Sequence, residues 1–590
     1  MRAALACLAA ALVAGALAVA PAAAQGDLRA PRSLTEPPAG KRLTAREAIA
    51  IASRAPTVRA ELREDSPQAR PTAYVKDDDW QVSWFVRETR RTEVAQARVD
   101  DDRGVVLEAW RDHQVAWTMA RGYDGAFGRS ATEPWVWIPL SVLFVLPFVD
   151  PRRPWRLLHL DLAVLSAFSI SLAFFNAGAI EVSVPLAYPL LAYLLVRMLW
   201  IGLRRRGQAA PGVADPRRPV RLLIPVTWMA VAVIFLLGFR VGLNVVDSKV
   251  IDVGYAGVIG ADRLAAGQPL YGSFPQDNRH GDTYGPVNYL AYVPFEQVLG
   301  WSGAWDGLPA AHAAAIAFDL LMVALLFLLG RLVRGPALGL ALAYAWVAYP
   351  FTLYVASANA NDTLVGLLVT ATLLVAAWST SPGAAAGRGA LTALAGLTKF
   401  APLALGPLLV AHRPHGERLR ARGVALYVAA FLALGALSFV PVALGDSLGS
   451  FWSSTLGFQA SRGSPFSVWG LWELQTAQRV VQGSAVALAV GLALLPRRRD
   501  LVGLAALCAA VLIATQLGVT HWFYLYLVWF FPLVMLALLV TSTEGRRFRR
   551  PEGETPAKRG RRFRRPEGET PAKRGRRSRR PEAEIPIEAV

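Results

Sequence analysis

The sequence predicts an all-α protein of many membrane spans, with a small exported α+β domain before it and a basic tail behind it. Three observations carry that reading. Apolar runs of about 16 to 24 residues recur along the chain, long enough to cross a bilayer as helices. Arginine clusters such as Arg204-Arg205-Arg206 and Arg497-Arg498-Arg499 punctuate the loops, where the positive-inside bias places them on the cytoplasmic side. The chain begins with Arg2, a long apolar run and the small residues Ala22, Ala23 and Ala24, the pattern of a secretory signal over residues 1–24.

The 590-residue chain is 54% hydrophobic yet carries a formal charge of +19. Most of that charge lies in loops and tail, so it points to membrane topology and not to nucleic acid. Two cysteines, Cys7 in the leader and Cys508 in an apolar run, leave no room for a disulfide framework or a cysteine metal site.

Residues 25–133 are polar. Thr44 and Glu47 form a capping box for a helix reaching about Glu64. Strand-like runs follow at Trp80 to Val86 and Thr92 to Val99, and a turn at Asp101-Asp102-Arg103-Gly104 leads into Val105 to Trp110. A helix followed by a small antiparallel sheet resembles the PepSY-like exported modules. The run Asp77-Asp78-Asp79 reads as a solvated turn, because no calcium-ligand spacing follows it.

Charge then orients the spans. Residues 134–221 read as three spans and a cytoplasmic linker, and residues 222–541 as a larger membrane domain. About eleven full spans are expected in all. Segment 389–411 breaks the alternation, because a single crossing would turn the arginine-rich loop after it outward. A re-entrant hairpin broken at Lys399-Phe400-Ala401-Pro402 keeps that loop inside, and irregular backbone at such depth must be covered by protein or water. Residues 542–590 carry an identical 15-residue repeat rich in Pro, Gly and charge, and read as a disordered cytoplasmic tail that adheres to anionic lipid.

The stretch Val250 to Tyr271 organises the chemistry. Its apolar residues fall at helical spacing on one thin face, and Gly267 with Pro269 ends the run. It reads as a short helix on the membrane surface with Asp252 at its start, either as a cap or as a reactive carboxylate. Charges near a membrane core are costly and are functional candidates by default. By this topology Arg240, Asp252, Asp362, Arg462 and His521 converge outside, joined by Lys399 if the hairpin reaches upward. Tyr255, Tyr271 and Tyr284 crowd the same region, either as an interfacial belt or as sugar-stacking rings.

Here the chain resembles a family. A long span, then Asp252, Leu264, Gly267, Leu270 and Tyr271, then Tyr284-Gly285-Pro286, Tyr289 and Pro294, is similar to the polyprenyl-phosphate-mannose-dependent mannosyltransferases of glycosyltransferase family 87. These belong to the C-type (GT-C) superfamily. Asn361-Asp362 at a span start, the L-T-K-F-A-P run around Lys399 and R-G-S-P-F around Arg462 extend the likeness over about Arg221 to Thr541. The family more usually has Y-P-P where this chain has Tyr284-Gly285-Pro286, and the exported domain with its three spans is extra.

The resemblance implies a GT-C-like fold in the plasma membrane with its site on the extracytoplasmic side. It implies a sugar donor on a polyprenyl phosphate, mannose in the family, and a cell-envelope glycolipid or glycan as acceptor. Asp252 would be the base toward the acceptor hydroxyl. Lys399, Arg462 and Arg240 would stabilise the departing lipid phosphate. Such a donor has no diphosphate, so neither metal nor cofactor is expected. A transporter or flippase of a lipid-linked or anionic solute is the rival reading, since broken helices and intramembrane charge suit one.

Overall fold

The computed structural model describes residues 28–87, 91–122, 127–203, 222–413, 421–495 and 500–542. The expected signal, the linker at 204–221 and the repeat tail lie outside the described residues.

The N-terminal module has two helices, Ala45–Ala52 and Pro56–Glu64, packed on a four-stranded antiparallel meander in the order β1 (Arg70–Lys76), β2 (Asp79–Arg87), β3 (Arg91–Asp100), β4 (Val106–Arg111). The capping box is present: Glu47 N–H donates to Thr44 Oγ1 at 3.2 Å and Thr44 N–H to Glu47 Oε2 at 2.9 Å. The helix stops short of Glu64, however, because Pro56 starts a second one after a turn at Ser53–Ala55. The acidic turn residue Asp101 is buried and accepts from Arg42 N–H, Leu43 N–H and Trp80 Nε1 at 2.7, 3.0 and 2.9 Å. It pins the loop before the first helix to the far turn of the sheet. Trp80, Trp84, Val82 and Val99 form the module's core against Ala45, Ala48 and Ala52.

Beyond the module the chain is helical. Among the described residues, seven helices are long and apolar enough to cross a membrane: Leu157–Asn176, Ile180–Leu203, Val226–Val246, Pro309–Arg334, Ala421–Leu444, Gln475–Leu494 and the segment Tyr524–Thr541. An eighth candidate is the pair Pro336–Ala348 and Pro350–Ser357, bent by 59° where Pro350 interrupts the ladder. Shorter apolar helices lie at Pro134–Phe148, Asp362–Trp378 and Leu501–Leu517. Val226–Val246 and Ala421–Leu444 leave flanks of bare Ile, Leu, Val and Phe, including Ile234, Phe235 and Leu432, as lipid-facing helices do.

The helices run between two ends. Leu223 N–H donates to Pro147 C=O at 2.8 Å, and Arg334 Nη1 to Val540 C=O at 3.3 Å, at one end. At the other, Ser130 N–H donates to Asp247 Oδ2 at 3.2 Å, His312 Nδ1 lies 3.0 Å from Asn244 Oδ1, and Leu270 N–H donates to Ser447 Oγ at 3.0 Å. The Pro382–Thr398 helix breaks at Lys399, and the chain folds back so that Leu403 lies against Gly396. Gly389 then meets the Tyr427 carbonyl and Gly423 faces Ala385, so Pro382–Thr398 and Ala421–Leu444 run parallel from the same end. The described residues after Lys399 therefore turn the chain back along the helix it has just left.

Candidate functional site

The stretch around Asp252 is more enclosed than a surface helix. Helix Asp252–Ala265 is buried at every residue from Gly254 to Ala261. Three glycines make this possible: Cβ atoms at Gly254, Gly257 and Gly260 would collide with the Asn359 carbonyl, the Tyr292 ring and the Tyr289 ring. The one-faced reading from apolar spacing, which set Gly257 and Gly260 on a thin apolar face, fell short because the glycines let backbone and aromatic rings close in around the helix.

Asp252 is not the cap of this helix. Ile251 holds that position with no side-chain bond, and Asp252 begins the first turn. Asp252 is accessible as a residue, yet protein atoms crowd its carboxyl. Burial pushes its carboxyl above the ordinary aspartate range, against the Val253 N–H and the charges of Arg462 and Lys399. Asn278 Nδ2 donates to the Asp252 carbonyl at 2.9 Å and ties the loop after the helix back to its start.

Lys399 lies at the hairpin break. Its Nζ donates to Asp362 Oδ1 at 2.7 Å and faces the rings of Tyr284, Tyr526 and Trp529 at 5.3, 5.2 and 5.4 Å from their centroids. Trp529 Nε1 donates to the same carboxylate oxygen at 2.8 Å. The ammonium is thus caged by an anion and three aromatic faces. Gly285 sets the cage wall: a Cβ there would lie 2.1 Å from the Leu397 carbonyl, so the loop carrying Tyr284 can approach the hairpin only without a side chain. That gives a physical reason for glycine where the resembled family has proline. Burial and then the Asp252 charge push the Tyr284 phenol well above its usual range.

Arg462 has its Cζ 5.1 Å from the Trp117 centroid and 5.7 Å from that of Phe458. His521 Nδ1 lies 2.9 Å from Ser464 Oγ, and burial with the charges of Arg462 and Lys399 holds its imidazole well below the usual range, hence neutral. Asn361 Nδ2 donates to Asn288 Oδ1 at 2.6 Å. Asp362 Oδ2, Asn361 Oδ1 and Asn288 Nδ2 are buried and find no partner among the described residues. Each such group costs about 1–3 kcal/mol unless something meets it.

Of the residues singled out in the sequence, Asp252, Tyr284, Asp362, Lys399, Arg462 and His521 share one electrostatic neighbourhood. Tyr271 supports it, its hydroxyl donating to the Tyr284 carbonyl at 3.0 Å. Tyr255 serves elsewhere, stacked on Trp305 with centroids 5.0 Å apart and donating to Asp277. Arg240 is also elsewhere. Its guanidinium is clamped by Asp319 at 2.6 and 2.9 Å and by Thr352, and Trp346 Nε1 donates to Asp319 at 2.8 Å. That closed network leaves Arg240 a structural cation.

Sequence reasoning missed Trp117, Tyr526 and Trp529. The last two sit in an apolar span at i and i+3, a spacing that puts both rings on one helix face and was readable in principle. Among the described residues, no three His, Cys, Asp or Glu side chains gather as they would around a metal ion. No family model matches the chain, and no curated protein matches it.

Proposed function

We propose that the protein is an integral-membrane glycosyltransferase of GT-C-like build, moving a sugar from a polyprenyl-phosphate donor to an extracytoplasmic glycolipid or glycan. The observation that carries this reading is an accessible carboxylate crowded by protein, Asp252, within the fields of two cations, Lys399 and Arg462. A displacement at a glycosyl phosphate asks for that combination: a base on one side of the anomeric carbon and positive charge on the other.

In the proposed step the acceptor hydroxyl attacks the anomeric carbon and its proton passes to Asp252. The bond from that carbon to the phosphate oxygen breaks, and its electron pair leaves with the lipid phosphate. Lys399 and Arg462 meet the charge that develops there. The site lies at the end of the bundle where the exported-type module joins it, and Arg331 and Arg334 lie toward the other. That arrangement supports a site facing out and a cytoplasmic C-terminus in the plasma membrane; the eleven crossings expected from the sequence would need the shorter apolar helices to cross as well as the seven to eight candidate spans. Mannose is the sugar the resemblance favours.

A transporter is the second reading, favoured by the break at Lys399 and the 59° bend at Pro350. Membrane vesicles fed radiolabelled polyprenyl-phosphate mannose separate the two. Label in an envelope glycan or glycolipid supports the transferase. Uptake of label without transfer supports the transporter.

A further inference from the structure

We propose that the exported module supplies part of the phosphate end of the site, with Trp117 as the positioning residue for Arg462. This rests on the reading of Arg462 as a phosphate-binding cation. Trp117 lies between the short helix His113–Ala116, which follows β4, and the turn Thr118–Ala120.

The manner in which Arg462 is held carries the argument. Among the described residues no carboxylate pairs with it and none accepts a hydrogen bond from its guanidinium. Among the described residues, the faces of Trp117 and Phe458 alone grip it. Stacking on an aromatic face fixes a guanidinium while leaving its N–H edges and its charge free for an anion. A carboxylate in the place of Trp117 would fix it as well but would neutralise it.

Trp117 is itself fixed. Its ring meets Phe466 edge-on at 5.4 Å and lies 5.8 Å from the His521 ring. The chain on either side is clamped to the membrane helices. Gln114 Nε2 donates to the Gly178 carbonyl at 3.4 Å, in the turn between two spans. Arg121 Nε donates to Gln114 C=O and Arg121 Nη2 to Gln96 Oε1, each at 2.9 Å, joining this segment to the sheet. Gly122, at φ +58°, runs so close to Gly178 that a Cβ would lie 2.2 Å from its nitrogen. Further on, Ser130 and Arg129 both bond Asp247. The module is therefore bolted to the bundle on both sides of the residue that faces Arg462, so its place in the chain is explained by what it delivers.

The test uses the full chain in nanodiscs, with farnesyl phosphate and uncharged farnesol as probes, alongside the radiolabelled sugar-transfer assay. Trp117→Ala should weaken farnesyl phosphate binding roughly fivefold to thirtyfold, the span expected for a lost cation–π contact. Trp117→Phe keeps a ring face and should stay within about threefold of wild type. Farnesol binding should not change in either variant, and Trp117→Ala should add nothing in an Arg462→Gln background. Equal losses for farnesol and farnesyl phosphate would mean a structural wall and overturn the proposal. So would a folded Trp117→Ala that binds farnesyl phosphate as wild type does, or a wild type that does not bind it. Sugar transfer that is absent while phosphate binding depends on Trp117 sinks the transferase reading and leaves this inference standing. Robust transfer with phosphate binding indifferent to Trp117 does the reverse.

Discussion

Lys399 and Asp362, 37 positions apart, meet at 2.7 Å where two helices end at the same level of the bundle. In the sequence Lys399 stands at a break with no partner in view; in the fold it is half of an ion pair whose acceptor oxygen is shared with the Trp529 indole. The pair holds the hairpin break to the start of the Asp362–Trp378 helix.

Breaking this pair should therefore damage both fold and function. Lys399→Met or Asp362→Leu alone strands a buried charge and should cost about 3–5 kcal/mol. The double variant Lys399→Met/Asp362→Leu should regain much of that stability without regaining turnover. Lys399→Arg should keep more donor use than Lys399→Ala. Thermal unfolding in detergent and the donor dependence of transfer check both halves. A double variant with wild-type turnover would reduce Lys399 to a strut.

Arg240 supplies the opposite case. Its pairing with Asp319 is closed by Thr352 and Trp346. Arg240→Met should cost about 3–5 kcal/mol of stability, with the KM for donor unchanged in the protein that remains folded. A raised donor KM at unchanged stability would return Arg240 to the substrate.

What was legible in the sequence divides along the range of the interactions. The capping box at Thr44 and Glu47, the turn before Val105 and the break at Lys399 before Pro402 are local signals, and each appears where the residues place it. The first strand, Arg70–Lys76, went unread because it carries a Pro and two charged residues and shows no alternation. The partners of the charged residues were not legible at all. Arg240 with Asp319, Lys399 with Asp362 and Arg462 with Trp117 join distant segments, and composition cannot tell a paired intramembrane charge from a waiting one. That is why convergence at one end of the bundle was foreseeable for six residues while the role of Arg240 was not.

Asp252 should make the folded protein pay for its placement. Burial raises its carboxyl above the ordinary aspartate value. An acid with a raised folded value is no liability while protonated in both states. It becomes one as pH rises from the unfolded value through the folded one, because ionisation is then favoured in the unfolded chain. Asp252→Asn should therefore be more stable than wild type near neutral pH, and the difference should vanish below the ordinary aspartate range. Melting curves across pH check this. A difference that grows on acidification contradicts it.

The sidedness of the site follows from labelling. Asp277 is exposed at the end of the bundle that holds Asp252, and Ser381 and Ala421 are exposed at the other. In intact cells a membrane-impermeant maleimide should modify Asp277→Cys and leave Ser381→Cys and Ala421→Cys untouched. Modification of Ser381→Cys alone would invert the orientation. Modification of Ala421→Cys without Ser381→Cys would contradict the parallel helices.

The most direct measurement is turnover of Asp252→Asn with a radiolabelled polyprenyl-phosphate mannose donor in vesicles. A positioned base supplies about 10²–10⁴ in rate, and asparagine keeps the shape while it cannot take the proton. The account predicts a folded protein that still binds farnesyl phosphate and transfers sugar at least about a hundredfold more slowly. A folded Asp252→Asn that transfers sugar at close to the wild-type rate would contradict it, and the base would have to be sought among the other carboxylates of that end, beginning with Asp247.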